Sequence, residues 1–117
     1  MINNSQPLQD ERPWGYFRQF IKNQPATVKI IVVKPNEQLS LQSHDYREEF
    51  WRVLSGSGFA DIGTEHREIK AGDEIMIPLR AKHRLASGPN GLEVMEISLG
   101  EFDENDIVRY EDKYGRI

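Results

Sequence analysis

Clusters of turn-forming residues cut this chain at short intervals, and they leave little room for any long helix. They are Lys34-Pro35-Asn36, Gly56-Ser57-Gly58, Asp61-Ile62-Gly63, Ala71-Gly72-Asp73 and Gly88-Pro89-Asn90-Gly91. Glycine, proline and asparagine favour turns because they accept or impose backbone angles that strands and helices do not use. Between the clusters lie strand-length runs rich in Val, Ile, Phe and Trp: Thr27–Val33, Leu39–Ser43, Phe50–Leu54, Phe59–Ile62, Arg67–Lys70, Glu74–Pro78, His83–Ala86 and Leu92–Leu99. Short strands at intervals of about 8 to 12 residues predict an all-β sandwich or small barrel.

With 117 residues the chain suits one domain, residues 1–117. The ends read differently from the middle. Residues 1–11 are expected to form a flexible or loosely docked arm. The stretch Phe102–Tyr114 (FDENDIVRYEDKY) predicts a short C-terminal helical turn capped by Asp103.

Charge narrows the function classes. A formal net charge of −4 argues against a nucleic-acid partner. An anionic small molecule would need a local cluster of Arg and Lys to bind against that field. No apolar run approaches the roughly 20 residues that span a bilayer, and the start MINNSQPLQD lacks a signal-peptide core, so a cytoplasmic location is expected. Because there is no cysteine, a metal site would have to use His, carboxylates and amide oxygens.

Such a set is present. If Leu39–His44 is extended, Gln42 and His44 project from one face, because residues two apart share a side of a strand. Glu49 follows the turn Asp45-Tyr46-Arg47-Glu48, and His83 opens a later strand after the turn 78–82. Two nitrogens, one carboxylate and one amide oxygen suit an open site for a divalent metal, Zn first, with Co, Mn, Ni or Fe as alternatives. Read singly, each residue has an ordinary role. His83 alone is a hydrogen-bonded strand residue, Glu48 and Glu49 are a solvated face, and His66 sits in a hairpin turn.

The spacing of the set carries more than its members. The stretch PNEQLSLQSHDYREEFWRVLSG, ending at Gly56, resembles the first cupin motif: a ligand pair at i and i+2, a carboxylate five residues on, and a glycine seven beyond. GDEIMIPLRAKHRLAS, residues 72–87, resembles the second, with Gly72, Pro78 and His83 in place. A glutamine as the first ligand, the flanking Arg12-Pro13-Trp14-Gly15, and the ending Asp106-Ile107-Val108-Arg109-Tyr110-Glu111-Asp112-Lys113-Tyr114-Gly115-Arg116 look like the phosphomannose isomerase cupins. They are similar to the C-terminal domain of the bifunctional type II mannose-6-phosphate isomerase/mannose-1-phosphate guanylyltransferase.

The resemblance implies a double-stranded β-helix, or jelly-roll barrel, with Gln42, His44, Glu49 and His83 as metal ligands. It also implies interconversion of mannose 6-phosphate and fructose 6-phosphate, a step that feeds sugar-nucleotide and polysaccharide synthesis. Arg116 is then a candidate catalytic or phosphate-facing cation. Arg47, Arg80 and Lys82, beside ligand positions, are candidates for binding the sugar phosphate. Glu96, in Val94-Met95-Glu96-Ile97-Ser98, is a candidate proton shuttle, since burial would raise its pKa towards a useful value.

The chain departs from the family at Asp45, Tyr46 and Phe50, where histidines are common, at Arg80 in place of a glycine, and at Ser87 in place of an asparagine. No nucleotide-binding Gly-rich loop precedes the motifs. Two rival readings remain: a non-catalytic cupin that binds a sugar or sugar phosphate, and a metal cupin of other chemistry. The aromatic run Trp14-Gly15-Tyr16-Phe17 reads as an edge element needing cover, and with the family likeness it predicts a homodimer.

Overall fold

The computed structural model describes residues 7–116. It contains nine strands: β1 (Leu8–Arg12), β2 (Gly15–Gln19), β3 (Ala26–Val33), β4 (Leu41–Ser43), β5 (Glu48–Ile62), β6 (Glu65–Lys70), β7 (Glu74–Ile77), β8 (His83–Leu99) and β9 (Val108–Glu111). β1 and β2 form a separate antiparallel ribbon. The other seven make one antiparallel sheet in the order β6-β5-β8-β4-β9, with β3 added on β8 and β7 on β5.

Two long strands organise the barrel. β5 and β8 pair along almost their whole length, with register shifts between Val53 and Ser55 and between Gly56 and Gly58. The expected turns at 56–58 and 88–91 therefore do not end strands. The extra residues are bulges, Leu54 in β5 and 88–91 in β8 opposite Ser57, and they bend the strands without breaking the ladder. Each half of the bent pair then has its own neighbours. β5 carries β7 along Glu49–Arg52 and β6 along Ser57–Ile62. β8 carries β3 along Leu92–Leu99, and touches β4 at His83.

Glycine is needed where the bend brings backbones together. A Cβ on Gly58 would lie 2.1 Å from the carbonyl oxygen of Ala86, and one on Gly56, at φ +79°, 2.1 Å from that of Gly91. Gly58→Ala should lower unfolding stability by at least about 1–3 kcal/mol, the usual cost of overpacking. A shift in the urea midpoint measures it, and an unchanged midpoint would refute the bulge account.

Side-chain alternation divides the residues between two cores. Val33, Trp51, Val53, Leu85, Leu92 and Val94 fill the barrel with Ala60, Ile69, Ile75 and Ile77. Phe50, Ile97 and Leu99 face the other way, under Phe20 and Ile21. Phe50 packs 5.5 Å from Phe20, ring centre to ring centre. The segment before β3 thus covers the outside of the β5–β8 pair. Arg18 of β2 anchors the ribbon to Glu74 of β7, which also takes Arg52 at 2.5 Å.

Both terminal expectations need correction. Of the arm expected over 1–11, residues 8–11 belong to strand β1, while 1–6 lie outside the described residues. No helical turn forms over 102–114. Asp103 does cap, its carboxylate accepting from the Asn105 amide at 2.9 Å and its carbonyl from the Asp106 amide at 3.0 Å, but a single turn results. The chain then extends as β9, because the free edge of β4 satisfies its backbone groups, pairing Gln42 with Arg109 and Ser43 with Val108.

Candidate metal centre

β4, β5 and β8 bring His44, Glu49 and His83 together. One donor atom from each lies within 4.8 Å of the others, and all three side chains are buried. Glu49 is on the inward face of β5 with Trp51 and Val53, alternating with outward Phe50. His83 begins β8, its ring edge-on to Trp51 with centroids 5.6 Å apart. His44 lies just past β4, and its carbonyl accepts from the Arg80 amide at 2.8 Å, tying the 78–82 turn to the site.

Backbone carbonyls set both histidine rings. Nδ1 of His44 lies 2.6 Å from the carbonyl oxygen of Asp106, and Nδ1 of His83 lies 2.8 Å from that of Ala81. A carbonyl can only accept, so each Nδ1 carries a proton, and in the neutral form of either ring the lone pair is on Nε2. Both Nε2 atoms face Glu49, at 3.4 Å from its two oxygens. This is the outer-shell arrangement that orients metal-ligating histidines.

One further feature of the donor set fits a divalent cation. Oε1 of Glu49 is buried with no hydrogen-bond partner among the described residues. A buried carboxylate oxygen without a partner is costly, and a cation between it and the imidazole lone pairs would satisfy it. Burial alone would raise the pKa of Glu49, but the neighbouring His83, His44 and Arg47 outweigh it and hold the carboxylate ionised. Burial, reinforced by the charges of Arg47 and His83, lowers the pKa of His44 and favours its neutral, ligating form.

Gln42 stands opposite His83 in the β4–β8 register. Its amide nitrogen donates to the Ser40 hydroxyl at 2.9 Å, which leaves Oε1 as the group's acceptor and possible fourth donor to a metal. Gln42 and Glu49 of this group line a cavity of about 650 Å³, together with Lys29, Arg47, Glu96 and Arg109. Glu96 accepts from Trp51 Nε1 at 3.3 Å. Burial, then the charge of Glu49, raises its pKa to about 7.

The remaining candidates lie in three different places. Arg47 is buried, with Nε 3.1 Å from Glu49 Oε2, a terminal nitrogen 3.1 Å from the Asp103 carbonyl, and its guanidinium over the Phe102 ring. Arg116 borders the cavity while held by Asp112, 2.7 Å from its Nε. Arg80 and Lys82 are not in the cavity lining. Arg80 is exposed, 3.9 Å from Asp45, and Lys82 lies over the Tyr110 ring.

The departures from the family pattern leave His44, Glu49 and His83 together. Phe50 faces away from Glu49, into the outer core. Tyr46 is 79% exposed, and the amides of Asp45 and Tyr46 donate to the Asp106 carboxylate at 2.8 and 3.1 Å. Asp106 thus braces the loop and, through its carbonyl, the His44 ring. Ser87 donates to the Lys34 carbonyl at 2.7 Å. Arg80 takes φ +65°, the left-handed conformation that a glycine adopts freely.

Lys29, Arg109 and the bracing Asp106 are site residues that the motif spacing alone does not mark. Lys29 carried a signal, since it alternates with inward Ile31 and Val33 in an otherwise apolar strand. Arg109 was hidden by the expected helical turn.

Comparison with known proteins agrees with the fold. The family model described as "Mannose-6-phosphate isomerase C-terminal" matches residues 4–112. Mannose-1-phosphate guanylyltransferase ManC of Salmonella typhimurium is 39% identical over 108 residues, 91% of this chain and 22% of that protein. Xanthan biosynthesis protein XanB of Xanthomonas campestris pv. campestris is 42% identical over 107 residues, 90% of this chain and 23% of that protein. The chain therefore spans less than a quarter of the length of these curated relatives. Among solved structures, a cupin protein from Bacteroides fragilis superposes with a TM-score of 0.60 at 25% identity, covering 69% of this chain and 74% of that one. A cupin barrel, two oriented histidines around a buried carboxylate, and a sequence match over nearly the whole length lead to one conclusion: the chain belongs to the mannose-6-phosphate isomerase C-terminal family.

Proposed function

We propose that the chain is a metal-dependent aldose–ketose isomerase that interconverts mannose 6-phosphate and fructose 6-phosphate and so feeds sugar-nucleotide and polysaccharide synthesis. The observation that carries this reading is the convergence of His44, Glu49 and His83, with Glu49 Oε1 unpartnered, at a cavity that also contains the buried carboxylate of Glu96. The family's description and the relatives' names support the sugar class.

His44, Glu49 and His83, with Gln42, would hold the ion, Zn first. A bound divalent ion supplies Lewis-acid polarisation of the sugar's C1 and C2 oxygens. Glu96, ionised, takes the proton from C2 of the aldose and returns it to C1, while a hydroxyl proton passes from O2 to O1. Trp51 Nε1 holds the Glu96 carboxylate, and Trp51 itself is fixed in the barrel core. Arg47, which also lines the cavity, holds the Glu49 carboxylate in place through its Nε.

The test is a coupled assay of mannose 6-phosphate conversion by the purified chain, with and without added zinc, cobalt or manganese. Metal-stimulated formation of fructose 6-phosphate is expected. Absence of turnover with metal bound would overturn the isomerase reading in favour of a non-catalytic sugar-phosphate-binding cupin.

A further inference from the structure

We propose that Arg109 binds the phosphate group of the sugar phosphate in the cavity, a role that rests on the sugar-phosphate reading above. The chain has nine arginines. Eight of them, Arg12, Arg18, Arg47, Arg52, Arg67, Arg80, Arg84 and Arg116, have a carboxylate oxygen within 4.0 Å. Arg109 has no such carboxylate among the described residues, and its Nε is buried without a hydrogen-bond partner.

A half-buried guanidinium with an unpartnered donor is expensive in a folded chain. Here it faces the cavity. In a chain of net charge −4, carboxylates were available to pair with it, and the fold pairs every other arginine with one. A planar fork of N–H donors left open on a cavity wall matches a phosphate, which it can engage with two parallel hydrogen bonds.

Position agrees with chemistry. Gln42 pairs with His83 on one side and with Arg109 on the other, so β8, β4 and β9 carry metal donor, amide and guanidinium in sequence. Adjacent strands lie about 4.8 Å apart, which sets Arg109 two strand spacings from His83. In an aldohexose 6-phosphate the phosphate ester likewise sits at the far end of the carbon chain from the C1–C2 bond. Lys29, from β3, lines the same cavity and adds a second cation. The carboxylates of Glu96, Glu49 and Glu104 also line it and would repel an anion placed elsewhere. Among the other candidate cations, Arg47 is committed to Glu49, Arg116 to Asp112, and Arg80 and Lys82 lie outside the lining.

The experiment compares wild type, Arg109→Gln and Arg109→Lys, each zinc-loaded. It measures binding of mannose 6-phosphate and of inorganic phosphate by calorimetry, with KM and kcat where turnover occurs. Losing a charge-assisted pair is worth about 10–100-fold. Arg109→Gln should weaken both ligands by that factor and raise KM while kcat and zinc content stay near wild type. Arg109→Lys should recover part of the loss. Undiminished binding by Arg109→Gln, a fall in kcat with unchanged KM, or no phosphate binding by the wild type would overturn the proposal. Arg109-dependent binding without turnover would sink the isomerase reading alone, and turnover indifferent to Arg109→Gln would sink this one alone.

Discussion

Replacing Glu49 with alanine is expected to abolish metal binding and with it the part of the chain's stability that responds to metal. Glu49 stands between both imidazole Nε2 atoms, so its loss removes a direct donor. The drop in affinity should exceed the roughly 10–100-fold that loss of an outer-shell partner costs. A ligand that binds only the folded state adds about 2.7 kcal/mol at a hundred times its Kd. Zinc should therefore raise the Tm of the wild type and leave that of the variant unmoved. Glu49→Ala also strips the carboxylate from Arg47, whose side chain is only 7% exposed, and breaking a buried pair costs about 3–5 kcal/mol. Glu49→Gln, which keeps the shape, serves as the folded companion. If either variant retained wild-type zinc content and a zinc-dependent Tm, Glu49 would not be a ligand.

The second large effect belongs to Glu96. If it moves the proton between C2 and C1, Glu96→Gln should lower kcat by about 100- to 10,000-fold, the range that a positioned acid or base contributes, with zinc content unchanged. Glutamine preserves the acceptor for Trp51 Nε1, so packing should survive. A kcat within a few-fold of wild type would move the proton transfer to another group. Arg116, bonded to Asp112 at the cavity border, would be the next to examine.

The barrel and the meeting of His44, Glu49 and His83 were legible because they rest on local chemistry. The i, i+2 spacing of Gln42 and His44 is a property of any extended strand, and the turn residues mark most of the strand ends. What the pattern hid was long-range. Gly56-Ser57-Gly58 reads as a turn in isolation, but inside a long antiparallel pair the same residues stay in the strand, and residues 88–91 of the partner bulge opposite Ser57. Asp103 reads as a helix cap, and it does cap a turn; only the free edge of β4, distant in sequence, decides that the next residues extend. That decision turns Arg109 towards the cavity. Phe50 looked like a damaged ligand neighbourhood, yet the period of two along β5 puts it on the opposite face from Glu49.

Anomalous diffraction at the zinc edge, from zinc-soaked crystals of the chain, tests the central claim most directly. One peak per chain is expected, about 2.0–2.2 Å from Nε2 of His44, Nε2 of His83 and a carboxylate oxygen of Glu49, with Gln42 Oε1 turned towards it. No peak among these residues, or a peak ligated by other groups, would contradict the account.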